Sequence, residues 1–289
     1  MLSLHTNNAT LSAQNSISKT QSSLSTSMTR LSTGYRINSA MDDAAGLQIS
    51  SRLKAQTSGM AVAMRNTQNA TSMLQTAEGA LDEVGNMLVR MKDLATQAAD
   101  ASSTSDDQKA MQSEFDALGK ELRNVLQNTT FGGNKLLVGG TIASTSGMTF
   151  QIGASSTETM KVDLSADMTS VVSAVSTATA NYNSSTGTTG TELTGTGTAN
   201  AAIGNLDSAL ASVNKVRSGL GAAANRLDHV YNNLSNISTN TQAAAGLIMD
   251  VDFASESSNM TSNQMLLQAG TAMLKQTNSM SSMVMSLLQ

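Results

Sequence analysis

Two histidines, the adjacent Asp42 and Asp43 and a large number of hydroxyls are among the residues of this chain whose types could do chemistry. His5 and His229 lie far apart in sequence. Asp228 adjoins His229, but neighbouring residues on a helix point to different faces, so the two do not form a ligand pair. Asp42 and Asp43 stand in GYRINSAMDDAAG at residues 34–46. Paired carboxylates can hold a divalent metal or move a proton, but no third ligand is near them in sequence. Capping is the better reading: Ser39 or Asp42 caps a following helix and places acidic groups in its first turn. No HExxH, CxxC, phosphate-binding loop, GxSxG or dinucleotide fingerprint occurs. The chain has no Cys, which removes disulfides, thiol nucleophiles and thiolate metal sites together. The expectation is a protein with no catalytic residue, no metal ligand and no cofactor, and therefore not an enzyme.

The elements must then serve something other than catalysis. Aromatic residues make up 2% of the 289 residues and charged residues 13%, with no Pro or Trp and 19 Met. Aromatic side chains dominate most globular cores, so a core here is built from Leu, Met, Val, Ile and Ala, which suits helix seams. The net charge of −4 is mild, and no basic stripe with interleaved aromatics is present, which argues against nucleic acid. No apolar run reaches the length of a membrane span, so no membrane partner is expected. The first residues, MLSLHTNNATLSAQNS, lack the charged leader and apolar core of a secretory signal peptide.

Residues 46–98 carry an unbroken heptad. One column is Leu53, Met60, Thr67, Leu74, Leu81, Leu88 and Ala95; the other is Ile49, Gln56, Ala63, Ala70, Ala77, Val84, Met91 and Ala98. About seven repeats of such a and d positions define a coiled-coil seam, on a helix roughly 80 Å long. From Ile203 the pattern returns, with Leu206, Val213, Leu220, Leu227 and Leu234 in one column and Ala209, Val216, Ala223, Val230, Ile237 and Ala244 in the other. The simplest packing is an antiparallel return of the second rod along the first. The rod seam is assigned to Leu74, Leu81, Leu88, Leu220, Leu227 and Leu234.

Both termini repeat one unusual design. Near the start, Leu4 and Leu11 are followed after a one-residue slip by Ile17, Leu24 and Leu31, with Met28 and Tyr35 alongside. Near the end, Leu266, Met273, Met280 and Leu287 are spaced by seven, beside Phe253, Met260, Leu267 and Leu274. Between residues 257 and 289 the only charged side chain is Lys275. A helix lying in water normally carries charge on its outer face, whereas an uncharged polar face tolerates cover on several sides. The two termini are expected to pair with each other and to be covered further by other copies of the chain. A Ser/Thr-rich tail without fixed structure is the competing reading for residues 1–35. The assembly residues assigned here are Leu4, Leu11, Ile17, Leu24, Leu31, Met260, Leu267, Leu274, Met280 and Leu287.

Between the rods, DASSTSDDQ reads as a turn, and a helix follows to about residue 128 with Met111, Phe115, Leu118, Leu122 and Val125 on one face. NTTFGGNKLL reads as a loop with a Gly-Gly turn. Met148, Phe150, Ile152, then Met160, Val162 and Leu164, flank GASSTE as a β-hairpin. Residues 168–200 are dominated by Ser, Thr, Gly, Ala and Asn and are expected as a surface loop or small lobe. Its hydroxyls could accept sugars, or it is an unmodified linker.

The fold class is mainly α: long antiparallel coiled-coil helices from both chain halves, with a small β-hairpin region. The divisions expected are a terminal helix at 1–43, half of a rod domain at 44–140, a hairpin and short variable region at 141–200, the other rod half at 201–248, and a second terminal helix at 249–289.

RLSTGYRINSAMDDAAGLQISSRL at residues 30–53 closely resembles the N-terminal signature of bacterial flagellins. DVDFASESSNMTSNQMLLQAGTAMLKQTNSM at residues 250–280, ending in SLLQ, resembles their C-terminal signature. FGGNKLL at residue 131 and FQIGASSTE at residue 150 match further landmarks. The resemblance covers roughly residues 1–165 and 200–289. It implies a subunit that polymerises into the helical flagellar filament, the terminal helices forming an inner core and the rods a surrounding wall. It implies export through the flagellar type III route to the cell exterior without a cleaved signal peptide, with a chaperone on the C-terminal helix. Cap and hook-associated proteins are the further partners it implies. The insert between the rods is short, so outer domains are expected to be reduced or absent. The resemblance also places a contact with the host Toll-like receptor for flagellin on the first rod, at Arg90 and Leu94, with Glu114 on the next helix; inter-subunit contacts at these residues are the other reading. A hook-filament junction protein of the same family is the alternative function. An exported metalloprotease form would need an HExxH insert, and a chemoreceptor-type coiled coil would need methylatable Glu/Gln sites and usually a membrane span.

Overall fold

The computed structural model describes residues 7–183 and 189–287, with side chains described as far as residue 280. Two units are present: one joins Met1–Thr57 to Thr239–Gln289, and the other is Ser58–Ser238. In chain order the elements are α1 (Asn8–Thr33), α2 (Ala44–Ala98), α3 (Ser105–Asn128), β1 (Thr130–Phe131), β2 (Asn134–Lys135), β3 (Met148–Gln151), β4 (Thr159–Val162), α4 (Ser165–Ala178), α5 (Thr196–Met249) and α6 (Phe253–Leu287). The mainly α class holds.

In the Ser58–Ser238 unit, the expected heptad columns are the core. Leu74, Leu81, Leu88, Leu220 and Leu227 lie in one buried cluster, and Leu234 joins Met60 and Ala63 in a second. Each such leucine contributes about 1.5–3 kcal/mol by leaving water. Cross-helix ion pairs give the direction. Glu78 meets Arg217 and Lys92 meets Asp207, so advancing along α2 means retreating along α5. The two helices run antiparallel. The alanine column brings the backbones close, with Ala63, Ala70, Ala77 and Ala98 all buried.

α3 covers this pair with Met111, Phe115, Leu122 and Leu126. Thr104 caps it in a box with Asp107: the Thr104 side chain accepts from the Asp107 amide, and the Asp107 carboxylate accepts from the Thr104 amide and hydroxyl. Gly132 and Gly133, both at positive φ (58° and 86°), turn the chain between β1 and β2. β3 and β4 form the expected hairpin, pairing Met148 with Val162 and Phe150 with Met160.

Three expectations need correction. Residues 165–178 are not loop but helix α4, whose Met168, Val171, Val175 and Ala178 enter the core at steps of three and four. That short stripe offsets the Ser- and Thr-rich composition that suggested a loop. The helix α2 is capped neither by Ser39 nor by Asp42. Asp43 accepts the Gly46 amide at 2.9 Å, while Asp42 closes the preceding turn by accepting from the amides of Asn38 and Ser39. The seam also ends before the columns do: Ile49, Ile237 and Ala244 are exposed.

Candidate assembly surface

In the unit that joins the chain ends, α1 and α6 pack against each other. Along α1 the residues Thr10, Ala13, Ile17, Thr20, Leu24, Ser27 and Leu31 are withdrawn from solvent, with Arg30 beside the last of them. Their steps alternate between three and four, which is a heptad seam. On α6 the matching set is Glu256, Met260, Asn263, Leu267, Gly270, Leu274 and Thr277. Each seam carries one apolar column and one column of small or polar residues. A Cβ built on Gly270 would lie 2.9 Å from Ile17 Cγ1, so the helices touch closely there.

The chain is clasped where these helices end. Gly34 terminates α1 at φ 76°, and its amide donates to the Arg30 carbonyl. The Arg36 amide donates to the Met249 carbonyl at 2.6 Å, the Val251 amide to the Gly34 carbonyl at 3.0 Å, and Arg36 Nη2 to the Ile248 carbonyl at 2.8 Å. On α1 the hydroxyls of Thr20, Thr26 and Thr29 each donate to the carbonyl four residues back, whereas the buried Thr10 hydroxyl has no partner among the described residues. On the outer face, Thr26 and Thr29 therefore do not depend on water for their hydroxyl protons.

The eight expected assembly residues whose side chains are described divide into two groups. Ile17, Leu24, Leu31, Met260, Leu267 and Leu274 face the seam between α1 and α6 and are half-buried within one chain. Leu11 stands 55% exposed, because the α1 seam runs through Thr10 and needs no slip. Met280 also points outward, at 56% exposure, with Met273 at 64% and Leu266 at 56%. Leu4 lies outside the described residues, as does the side chain of Leu287. The column at Leu266, Met273 and Met280 thus forms a second apolar stripe on α6 beside the seam. Exposed apolar side chains repeating at seven on a helix whose seam is already paired make a surface for a further helix.

In the other unit, Arg90 and Glu114 form a pair on the surface, Nε and Nη2 donating to Glu114 Oε1 at 2.9 and 2.7 Å. Leu94 does not share that surface. It is 3% exposed and belongs to the core, since its step on α2 follows the seam.

One polar arrangement had no sequence signal. Buried Asp116 accepts from Gln112 Nε2 at 2.7 Å, from Asn181 Nδ2 at 2.8 Å and from the Gly190 amide at 3.0 Å. Gln112 Nε2 also reaches Glu192 at 2.9 Å, and Gln112 Oε1 accepts from the Leu193 amide at 2.6 Å. These bonds fasten the connection before α5 to α3. Among the described residues no three His, Cys, Asp or Glu gather into a metal-binding group, and no helix is long and apolar enough to cross a membrane.

The fold and surface define a helical structural subunit, with a rod core closed within the chain and terminal helices that keep an open apolar stripe. Two family models match the sequence: the bacterial flagellin N-terminal helical region over residues 4–141, and the bacterial flagellin C-terminal helical region over residues 203–288. A flagellin of Halalkalibacterium halodurans is 39% identical over 259 residues, covering 89% of each chain. A flagellin of Bacillus subtilis is 36% identical over 299 aligned positions, covering 98% of each. A solved chain described as a flagellar hook-associated protein, from Vibrio parahaemolyticus, aligns over 72% of this chain and 99% of its own with TM-score 0.52. At 16% identity that likeness speaks for a shared fold alone. The chain belongs to the bacterial flagellin family, and its role is structural, as a subunit of the flagellar filament.

Proposed function

We propose that the chain assembles through the two faces of its terminal helices. The seam of α1 and α6 closes within one subunit, and the stripe at Leu266, Met273 and Met280 is covered by the terminal helices of neighbouring subunits. The observation that carries this reading is the exposure of that stripe beside a seam already paired. Because its core column is half small or polar, the seam buries modest area, and association with further helices adds the remainder. Leu11 and Met28 on α1 offer additional apolar contact, each more than half exposed.

The same stripe suits an export chaperone, since an apolar helix that must travel unassembled needs temporary cover. Cap and hook-associated proteins then meet the ends of the polymer, which works outside the cell after type III export. Arg90 and Glu114 form the surface proposed for a host Toll-like receptor, with Leu94 supporting it from beneath. A guanidinium fork held by a carboxylate can rotate to a new acceptor while its stem stays packed.

The test is removal of residues 260–289. The truncated chain is expected to keep the Ser58–Ser238 unit folded by circular dichroism and to form no filaments by electron microscopy. Normal filaments from the truncated chain would contradict the proposal.

A further inference from the structure

The chain has no Cys and 19 Met, so methionine carries all of its sulphur chemistry. Met91 and Met168 are fully buried in the core of the Ser58–Ser238 unit. Met265, Met273 and Met280 on α6 are 60%, 64% and 56% exposed. At about 100° per residue these three and Leu266 fall within roughly one third of the helix circumference, beside the seam and not in it. Thioethers are oxidised according to access, and the product is a polar, chiral sulfoxide in place of a flexible apolar group.

We propose that Met265, Met273 and Met280 form a peroxide-oxidation site that controls polymerisation. The proposal rests on the reading of the α6 stripe as a subunit contact. The thioether lone pair attacks one oxygen of hydrogen peroxide, a sulphur–oxygen bond forms as the O–O bond breaks, and the departing hydroxide takes the proton from the new S–OH group and leaves as water. Sulphur loses two electrons and the peroxide is reduced. Three sulfoxides on one stripe place strongly polar groups in a contact otherwise made by apolar side chains. Burying them is unfavourable, and the chain stays unassembled. In the polymer the same sulphurs are covered, so the site reads oxidant before assembly and is protected after it. The two epimer-specific methionine sulfoxide reductases, with a dithiol that supplies the two electrons and is oxidised to a disulfide, return the sulfoxides to thioethers with release of water and reverse the block.

The experiment oxidises the full-length soluble chain with graded hydrogen peroxide, maps sulfoxides by peptide mass spectrometry, and measures the critical concentration for seeded polymerisation. Met265, Met273 and Met280 should oxidise well before Met91 and Met168, and the critical concentration should rise about tenfold or more, equivalent to about 1.4 kcal/mol per subunit. The two epimer-specific reductases together with a dithiol should restore it, and a chain carrying Met265→Leu, Met273→Leu and Met280→Leu should polymerise and lose the sensitivity. If that triple variant does not polymerise even unoxidised, restoration of the native chain by the reductases decides the matter. Complete oxidation of the three sites with unchanged polymerisation would overturn the proposal, as would full sensitivity retained in the triple variant. Failure of the underlying stripe reading is separately visible, because a Leu266→Asp chain would then polymerise normally.

Discussion

Arg30 Nη1 stands 3.7 Å from Glu256 Oε2, joining the last turn of α1 to the first turn of α6. Each charge also faces the favourable end of its own helix dipole. Glu256 is buried in a pair of helices that are otherwise almost free of charge. Removing the cation strands a buried carboxylate, which costs more than the ion pair itself contributes. Arg30→Ala is expected to weaken the α1–α6 pairing by about 1–3 kcal/mol. Faster amide exchange confined to those helices would show it; unchanged exchange would mean that solvent already satisfies Glu256.

Leu81 lies at the centre of the rod seam with no exposed surface. Leu81→Asp places a carboxylate against apolar neighbours and should destabilise the Ser58–Ser238 unit by about 3–5 kcal/mol. Thermal unfolding measures it, and an unshifted transition would count against the seam.

The rod was legible because apolar residues, chiefly Leu and Ala, recur in two columns interrupted only at Gln56 and Thr67 on α2, and an apolar count finds them. The terminal seam was only half legible. Its second column is Ala13, Thr20 and Ser27 on α1 and Asn263, Gly270 and Thr277 on α6, residue types that also populate exposed faces. Counting apolar residues alone therefore drew Leu11 into the seam and left Thr10 out. Helix α4 was hidden for a similar reason, since Ser, Thr and Ala surround its four inward residues. The bonds from Gln112 and Asp116 to residues 180–193 join segments far apart in sequence, and no local pattern announces them.

Two glycines of α2 should respond oppositely to alanine. A Cβ on Gly59 would meet Ala154 at 2.7 Å from its Cβ and 3.2 Å from its Cα, so the turn between β3 and β4 must move. Gly59→Ala should cost about 1–3 kcal/mol. A Cβ on Gly79 meets nothing within 4 Å, and Gly79→Ala should stabilise the unassembled chain by about 0.5–1 kcal/mol through helix propensity. Denaturant melts of the two variants test the pair, and equal signs would contradict the packing at Ala154.

The Asp42 carboxyl is held below the usual aspartate range by the Asn38 amide, then by the Ser39 amide and hydroxyl. A depressed folded value means the turn at residues 38–42 gains stability above the ordinary aspartate pKa and loses it as pH falls through the folded value. Carboxyl titration by NMR should find Asp42 protonating later than an unbonded aspartate on acidification, and Asp42→Asn should remove that acid sensitivity. An ordinary titration would mean these bonds do not persist in solution.

Seeded polymerisation of a Leu266→Asp chain tests the central claim most directly, because Leu266 is exposed in the single chain and its replacement leaves the folded subunit intact. Native helical content by circular dichroism, with no filaments by electron microscopy at concentrations where the native chain polymerises fully, is the result this account predicts. Filaments of normal yield and length from that chain would contradict it.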